Sequence, residues 1–393
     1  MSKPRFLDIH IVQSVPFSNL NRDDTNSVKT VEWGGSLRTR ISSQSWKRAT
    51  SETFQKAVDD HARRTRRIGE AVTRDLADRG WPQQLAERAG AHVAAGSSIK
   101  YELAQSEGPD GKKKTEINKV LTNAMVYVPA TAVRELADLA EEHRDQLEAA
   151  KDIKKPTDKS VLPKDRIEAV LRSRNGVINL FGRMLAEVDG AGVPGAVQVA
   201  HAMTTHENDV EIDYFSTVDD FTHAWNDATG SAHMGHTEHS AGTFYRYATI
   251  DLDELHTNLG DDPTTVRQLV KAFCHAFTSS LPQAKKNSTA AHTLPHLVHV
   301  AVRDDRPVSF AAAFEKPVRA AQHGGHAAPS VGALTRYATA ASTFLGTHHL
   351  LHQSWTGVDT PDAPDLGERA PGLDALIDTA LDHALTTPEG ALA

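Results

Sequence analysis

Residues 38–48, Arg-Thr-Arg-Ile-Ser-Ser-Gln-Ser-Trp-Lys-Arg, force the backbone to change form within a single short stretch. In an extended chain, residues two apart leave the same face, so Arg38 and Arg40 share one surface. Ser42 and Ser43 are good helix N-cap residues, and Trp46, Ala49, Phe54 and Ala57 follow near the helical period. A strand therefore feeds a helix here. Lys47 and Arg48 fall in or near the first turn, where the helix dipole disfavours cations and an anion would offset them. Backbone N–H groups, the hydroxyls of Ser42, Ser43 and Ser45, the Gln44 amide and four cations together describe a phosphate-binding surface. A solvated basic edge with an ordinary cap fits the same residues, and pattern alone leaves both readings open. Gly34-Gly35 lacks a downstream Gly-Lys-Ser/Thr, so a P-loop nucleotide cradle does not apply and a nucleic-acid backbone fits better.

Around that junction the periodicities alternate. Leu7, Ile9 and Ile11 against Asp8 and His10 predict a strand over 6–13, and 28–33 is extended up to the Gly pair. From 59 to 164 the character changes: Arg63, Arg64, Arg66 and Arg67, helical stretches near 60–78, 83–95 and 131–149, and a Gly/Lys-rich loop at 108–114. This reads as an insertion. It ends in Lys151, Lys154, Lys155, Lys159 and Lys164, a run broken by Asp152, Asp158, Pro156 and Pro163, which is more often a solvated face than a binding site.

A short helix between Pro163 and Gly176 leads into strand-like composition over 177–184, and a second extended run occupies 196–205. Between 206 and 240 an acidic, polar excursion carries Tyr214, Phe215, Phe221, Trp225 and Met234; long excursions of this kind are often functional. Strands at 243–252 and 296–302 flank an amphipathic helix at 264–279, with Val266, Leu269, Phe273 and Phe277 on one side. The order β-α-β, excursion, β-α-β, with the insertion after the first helix, is a split βαβ, ferredoxin-like α+β plan. Helix candidates near 329–345 and 371–386 lie outside it.

With 393 residues the chain has room for two or three domain-sized units or for one core with large insertions, and its apolar content predicts a real core. The net charge of −8, from 51 acidic and 43 basic residues, argues against coating nucleic acid through bulk charge, so any such binding needs local basic patches. A single cysteine, Cys274, excludes an intramolecular disulfide and a cysteine-rich zinc site and fits a reducing compartment. With no apolar leader and no run near the ~20 residues that span a bilayer, the expected location is the cytoplasm.

Chemistry-bearing clusters are weak. Of the pairs Asp23-Asp24, Asp59-Asp60 and Asp219-Asp220, only the first, in a loop beside Arg22, is a nuclease candidate, because adjacent carboxylates on a regular element point apart. His233, His236 and His239, and His292, His296 and His299, match no zinc-ligand set, and Pro295 breaks the second as a helix. Cys274 reads as structural. Tyr214, Phe215, Ser216 and Thr217, with Met184 and Met234, offer aromatic or apolar side chains on which single-stranded bases stack or are splayed; pinning the excursion to the core is the competing role.

Several strings, taken together and in order, resemble the CasC-type backbone subunit of Cascade, the type I-E CRISPR interference complex. They are residues 21–24 (Asn-Arg-Asp-Asp), 40–45 with 47–49, Gly182-Arg183-Met184, 200–206 (Ala-His-Ala-Met-Thr-Thr-His), 231–235, 242–248 and 313–316. The 60–160 insertion and the C-terminal tail match poorly. The resemblance implies a ferredoxin-like, RRM-type palm formed by residues 1–58, 165–205 and 241–393. It further implies helical fingers from 59–164 and a thumb from 206–240. Copies would stack head-to-tail on one CRISPR RNA, with Arg22, Arg38, Arg40, Ser42, Ser43, Gln44, Ser45, Lys47 and Arg48 gripping the guide. Met184 of one copy and the neighbour's Tyr214, Phe215, Thr217 and Met234 would splay a base at intervals, and the guide would read DNA by pairing. Lys151, Lys154, Lys155, Lys159 and Lys164 would face target DNA. The acidic first half of the thumb, Glu207, Asp209, Glu211 and Asp213, departs from tight RNA contact, and His236 and His239 lie outside the family pattern.

The expected function is thus a non-enzymatic guide-RNA-binding subunit of an antiviral ribonucleoprotein, without metal or cofactor. Its partners would be CRISPR RNA, target DNA, other copies of itself, and capping, small and large subunits. The rival is a guide-directed ribonuclease using Asp23 or Asp24; a third reading is a stand-alone RNA-binding protein.

Overall fold

The opening strand β1 (Phe6–Ser18) runs past the end that alternation predicts, because its second half still pairs with a neighbour. The structure, a computed structural model, describes residues 5–107, 113–217, 233–260 and 262–385. Strands β2 (Thr30–Trp33) and β3 (Ser36–Ile41) form an antiparallel hairpin about Gly34-Gly35. Helix α1 (Ser43–Val58) follows at once. The Ser42 hydroxyl accepts from the Ser45 N–H at 3.3 Å, and Trp46, Ala49, Thr50 and Phe54 are buried, so capping acts as the residue pattern predicts, while Ala57, at the end of the expected apolar stripe, is exposed.

The chain divides into two units, and Val58–Ala196 with Thr257–Gly260 makes up the second. It contains β4 (Ala62–Thr65), α2 (Ile68–Asp78), α3 (Gln83–Ala95), β5 (Tyr101–Glu107), β6 (Lys113–Thr122), β7 (Val126–Pro129), α4 (Ala132–Glu142), α5 (Arg144–Ala149), α6 (Lys164–Arg172) and α7 (Gly176–Phe181). Val72, Leu76, Ala89, Leu136, Leu147 and Leu171 belong to its core. Four expectations change here: within the stretch read as helical over 60–78, residues 62–65 form β4, paired with β7, and the helix starts only at Ile68. Lys113 and Lys114 lie in a strand paired with β5 rather than in a Gly/Lys-rich loop. The helix expected over 131–149 breaks at His143. Residues 177–184 are not a strand: Asn175 caps α7 by accepting from the Ile178 N–H at 3.0 Å. Residues 177–181 are all buried, so no exposed position marks a period that would separate helix from strand.

The first unit comprises Met1–Ala57, Val197–His256 and Asp261–Ala393. It adds β8 (Val197–Val199), β9 (Ala202–Thr204), β10 (Glu211–Thr217), β11 (His233–Asp251), α8 (Leu252–Leu259), α9 (Pro263–Ser279), α10 (Lys286–Thr289), β12 (Leu297–Arg303), α11 (Ala327–Leu345), β13 (Leu350–Thr356), β14 (Glu368–Arg369) and α12 (Leu373–Leu385). The sheet order is β14-β13-β12-β1-β11-β9-β3-β2, with β8 and β10 also paired to β11. Both central strands, β1 and β12, pair antiparallel and are buried on both faces. One face meets Trp46 of α1 and Phe277 of α9, which sandwich the Arg246 guanidinium at 3.8 and 4.7 Å.

The other face of the sheet lies under residues 308–314 and α11, and there Asp8 and His10 are fully buried. The Asp8 carboxylate accepts from the Tyr247 hydroxyl at 2.8 Å and the Val308 N–H at 2.9 Å, and His10 stacks on Phe310 at 4.1 Å. Burial pushes the Asp8 carboxyl up to about 6, holds His299 down at about 3, and lowers His10 well below the imidazole range. The signs oppose. The raised carboxyl contributes stability at low pH that is lost as pH rises through about 6; the two lowered imidazoles contribute stability present above ~6.5 and lost on acidification. Two imidazoles outweigh one carboxyl, so the stability contributed by this cluster falls as pH drops below about 6. Asp8→Asn is expected to steepen that fall in urea titrations; an unchanged slope would show that Asp8 is not protonated there.

Candidate nucleic-acid interface

Where β3 hands over to α1, the structure brings together Arg40, the capping serines, Lys47 and a residue from far along the chain, His201. The Arg40 Nη1 lies 3.2 Å from His201 Nδ1, and the Ser43 backbone N–H donates to the same nitrogen at 3.1 Å. Asn21 closes the other side, its side-chain oxygen accepting from the Ser42 N–H at 2.7 Å. Gln44 is exposed, and Ser43 and Ser45 are half-buried. Lys47 is half-buried, with its ammonium donating to the Val197 carbonyl at 3.3 Å. Arg48 stands 81% exposed but pairs with Glu52 at 2.9 Å one turn on.

Arg38 leaves the candidate set. It shares a face with Arg40, as spacing requires, but residues 314 and 315 cover it. Its guanidinium donates to the carbonyls of Thr204, Phe314 and Glu315 at 3.0, 3.1 and 3.2 Å and is completely buried. Ser42 is also buried, and acts as a cap.

Arg22 is exposed on the loop between β1 and β2, donating to the Asn26 side chain at 3.1 Å. In the same loop one Asp23 oxygen accepts from the Thr25 N–H, the Thr25 hydroxyl and the Ser27 N–H at 2.8–2.9 Å. The Thr25 hydroxyl bond leads the causes that hold this carboxyl below the usual aspartate range. Asp23 therefore shapes the turn.

The 206–240 excursion contains an ordered ribbon: β10 pairs antiparallel with β11, Tyr214 opposite His236 and Phe215 opposite Gly235. Alternation splits the expected set over two faces. Tyr214 and Met234, 76% and 74% exposed, share one; Phe215 and Thr217 share the other with Glu211 and Asp213. At Gly235 a Cβ would sit 2.6 Å from the Phe215 ring, so any larger residue there would displace that ring. Phe221, Trp225, Asp219, Asp220, Ser231 and Ala232 lie outside the described residues.

In the second unit Met184 is 91% exposed while its neighbour Arg183 is buried. The Arg183 guanidinium donates to the carbonyls of Ala191 (2.7 Å), Ser173 (2.8 Å), Arg172 (2.9 Å) and Tyr127 (3.2 Å), and burial pushes its pKa down to about 10. One buried cation thus ties together the turns that present Met184. Lys151, Lys154, Lys155, Lys159 and Lys164 are all exposed. The acids that interrupt them are engaged locally: Asp158 accepts from the N–H groups of Lys154 and Lys155 at 2.8 and 2.9 Å, and Asp152 pairs with Arg88 at 2.9 Å. Lys164 has a carboxylate within reach, Glu168 at 3.8 Å.

Residue-level reasoning missed His201 and the supporting Asn21. Both lie inside the strings that carry the family resemblance, yet no local signal could place His201 against Ser43, because the two residues are far apart along the chain. No group of three or more acidic, histidine or cysteine side chains suited to a metal occurs among the described residues. No helix among them is long and apolar enough to cross a membrane.

Fold and site define a mixed α+β protein with a cationic strand-to-helix junction and an exposed two-stranded arm. The chain belongs to the CT1975-like protein family, whose model matches residues 7–379. Two solved structures are similar to it over 96% of this chain and 100% of theirs. One, a "CRISPR RNA-guided surveillance complex, pre-nicking", has 42% identity and a TM-score of 0.85; the other, a "CRISPR RNA-guided surveillance complex", has 39% and 0.77. No curated protein matches.

Proposed function

We propose that this protein is a non-catalytic, guide-RNA-binding backbone subunit of an RNA-guided DNA-recognition complex, of the CasC type in a type I-E assembly. The observation that carries this reading is the near full-length likeness to chains of CRISPR RNA-guided surveillance complexes. The sheet supports a ferredoxin-like, RRM-type palm, since β12-β1-β11-β9 places the four plan strands side by side in alternating directions. Arg22, Arg40, Ser43, Gln44, Ser45 and Lys47 then hold guide phosphates, and bases stay free to pair with target DNA.

In this reading copies associate head-to-tail, a heterologous contact that grows until other subunits cap it. Met184 and the ribbon face bearing Tyr214 and Met234 splay the guide between copies, Phe215 and Thr217 buttress the ribbon from behind, and the exposed lysines of 151–164 approach target DNA. Purification from the cytoplasm of the host is expected to bring down a discrete repeat-spacer RNA and several other subunits. A protein that emerges alone and RNA-free would overturn the proposal.

The ribonuclease alternative is disfavoured by the three hydrogen bonds that bind one Asp23 oxygen within its own turn. Substituting both Asp23 and Asp24 with alanine is expected to leave RNA integrity unchanged in a gel assay. Cleavage by the wild type that the double variant lacks would reverse the assignment.

A further inference from the structure

We infer that His201 is a guide-contacting residue whose Nε2–H donates to a phosphate oxygen, beside the cations Arg40 and Lys29. The inference rests on the guide-binding reading above and adds to it a residue and a protonation state. Arginine nitrogens and backbone amides can only donate, so Nδ1, which meets both Arg40 Nη1 and the Ser43 N–H, must be the bare acceptor. In the neutral ring the proton then sits on Nε2. The Ser43 N–H at the start of α1 is thereby already satisfied, and the ring offers a donor in its place, fixed by two hydrogen bonds rather than held by rotamer preference.

His201 is exposed, and its Nε2 has no partner among the described residues. Partial burial, then Arg40, then Lys29 hold its pKa below the ordinary imidazole value, which keeps the ring neutral and Nδ1 bare at neutral pH. A neutral imidazole clamped on a guanidinium suits an anion: one hydrogen bond from Nε2–H, with charge supplied by its neighbours. A carboxylate ligand would be equally attracted; the guide-binding reading above is what supplies the phosphate.

Two conservative replacements separate the roles, because the Asn side-chain oxygen takes the place of Nδ1, whereas the Gln side-chain nitrogen reaches that of Nε2. His201→Asn keeps the acceptor for Ser43 and Arg40 and deletes the outward donor; His201→Gln restores a donor. Fluorescence anisotropy with a labelled single-stranded RNA is expected to show about tenfold weaker binding for His201→Asn and recovery towards wild type for His201→Gln. Neither should alter the dependence of affinity on salt, since no charge is removed, whereas Arg40→Gln should flatten it. Wild-type affinity in His201→Asn, or equal loss in both variants, would overturn the role given to Nε2 while leaving RNA binding intact. Failure of the wild type itself to bind would instead remove the guide-binding reading and this inference with it.

Discussion

Arg246→Ala is expected to lower the unfolding free energy by about 3–5 kcal/mol, the range for breaking a buried charged network and opening a cavity together. Arg246 is fully buried and has no carboxylate partner among the described residues; burial pushes its pKa down to about 9. Its charge is held by the Gln13 side-chain oxygen at 2.6 Å, by the Phe277 carbonyl and by the faces of Trp46 and Phe277. Truncation orphans both acceptors and leaves the Trp46 ring facing a void. Arg246→Met, which fills the space without a charge, should cost distinctly less, because a buried cation is itself costly. Urea denaturation measures both. An alanine variant within about 1 kcal/mol of wild type, on the scale of an ordinary surface change, would show that the sandwich does not hold α1 on the sheet.

The combined substitution Arg22→Gln, Arg40→Gln and Lys47→Gln is expected to weaken single-stranded RNA binding by about 10²-fold at physiological salt. It should also reduce the logarithmic salt slope by roughly 2, at ~0.7 for each phosphate no longer neutralised. Arg48→Gln alone should change affinity by less than about threefold, because Glu52 already compensates that exposed guanidinium. Anisotropy titrations across a salt series decide the matter. A triple variant with the wild-type slope would mean that these cations face something other than phosphodiesters.

Local rules reach far into this fold. The β3-to-α1 junction is legible because N-cap chemistry and apolar spacing act within a few residues, and the same holds for β1, α9 and β12. Residues 177–181 defeat those rules because all five are buried and leave no amphipathic period, and the capping Asn175 is the signal that separates helix from strand there. The ribbon of β10 and β11 escapes because β10 is exposed on both faces, so no apolar alternation marks it strongly against a core.

Side-chain fate is less legible than backbone form. Arg38 and Arg40 are the same residue type, two apart, on one face of one strand, and no sequence rule distinguishes them. One lies under residues 314 and 315 and serves carbonyls; the other reaches His201 at the rim. By itself the sequence determined the order of most strands and helices and the cationic character of one helix start, because propensity, capping and periodicity are local. Only the tertiary structure decided which cations remain available to a ligand and which histidine joins them, because burial and long-range hydrogen bonding depend on residues distant along the chain.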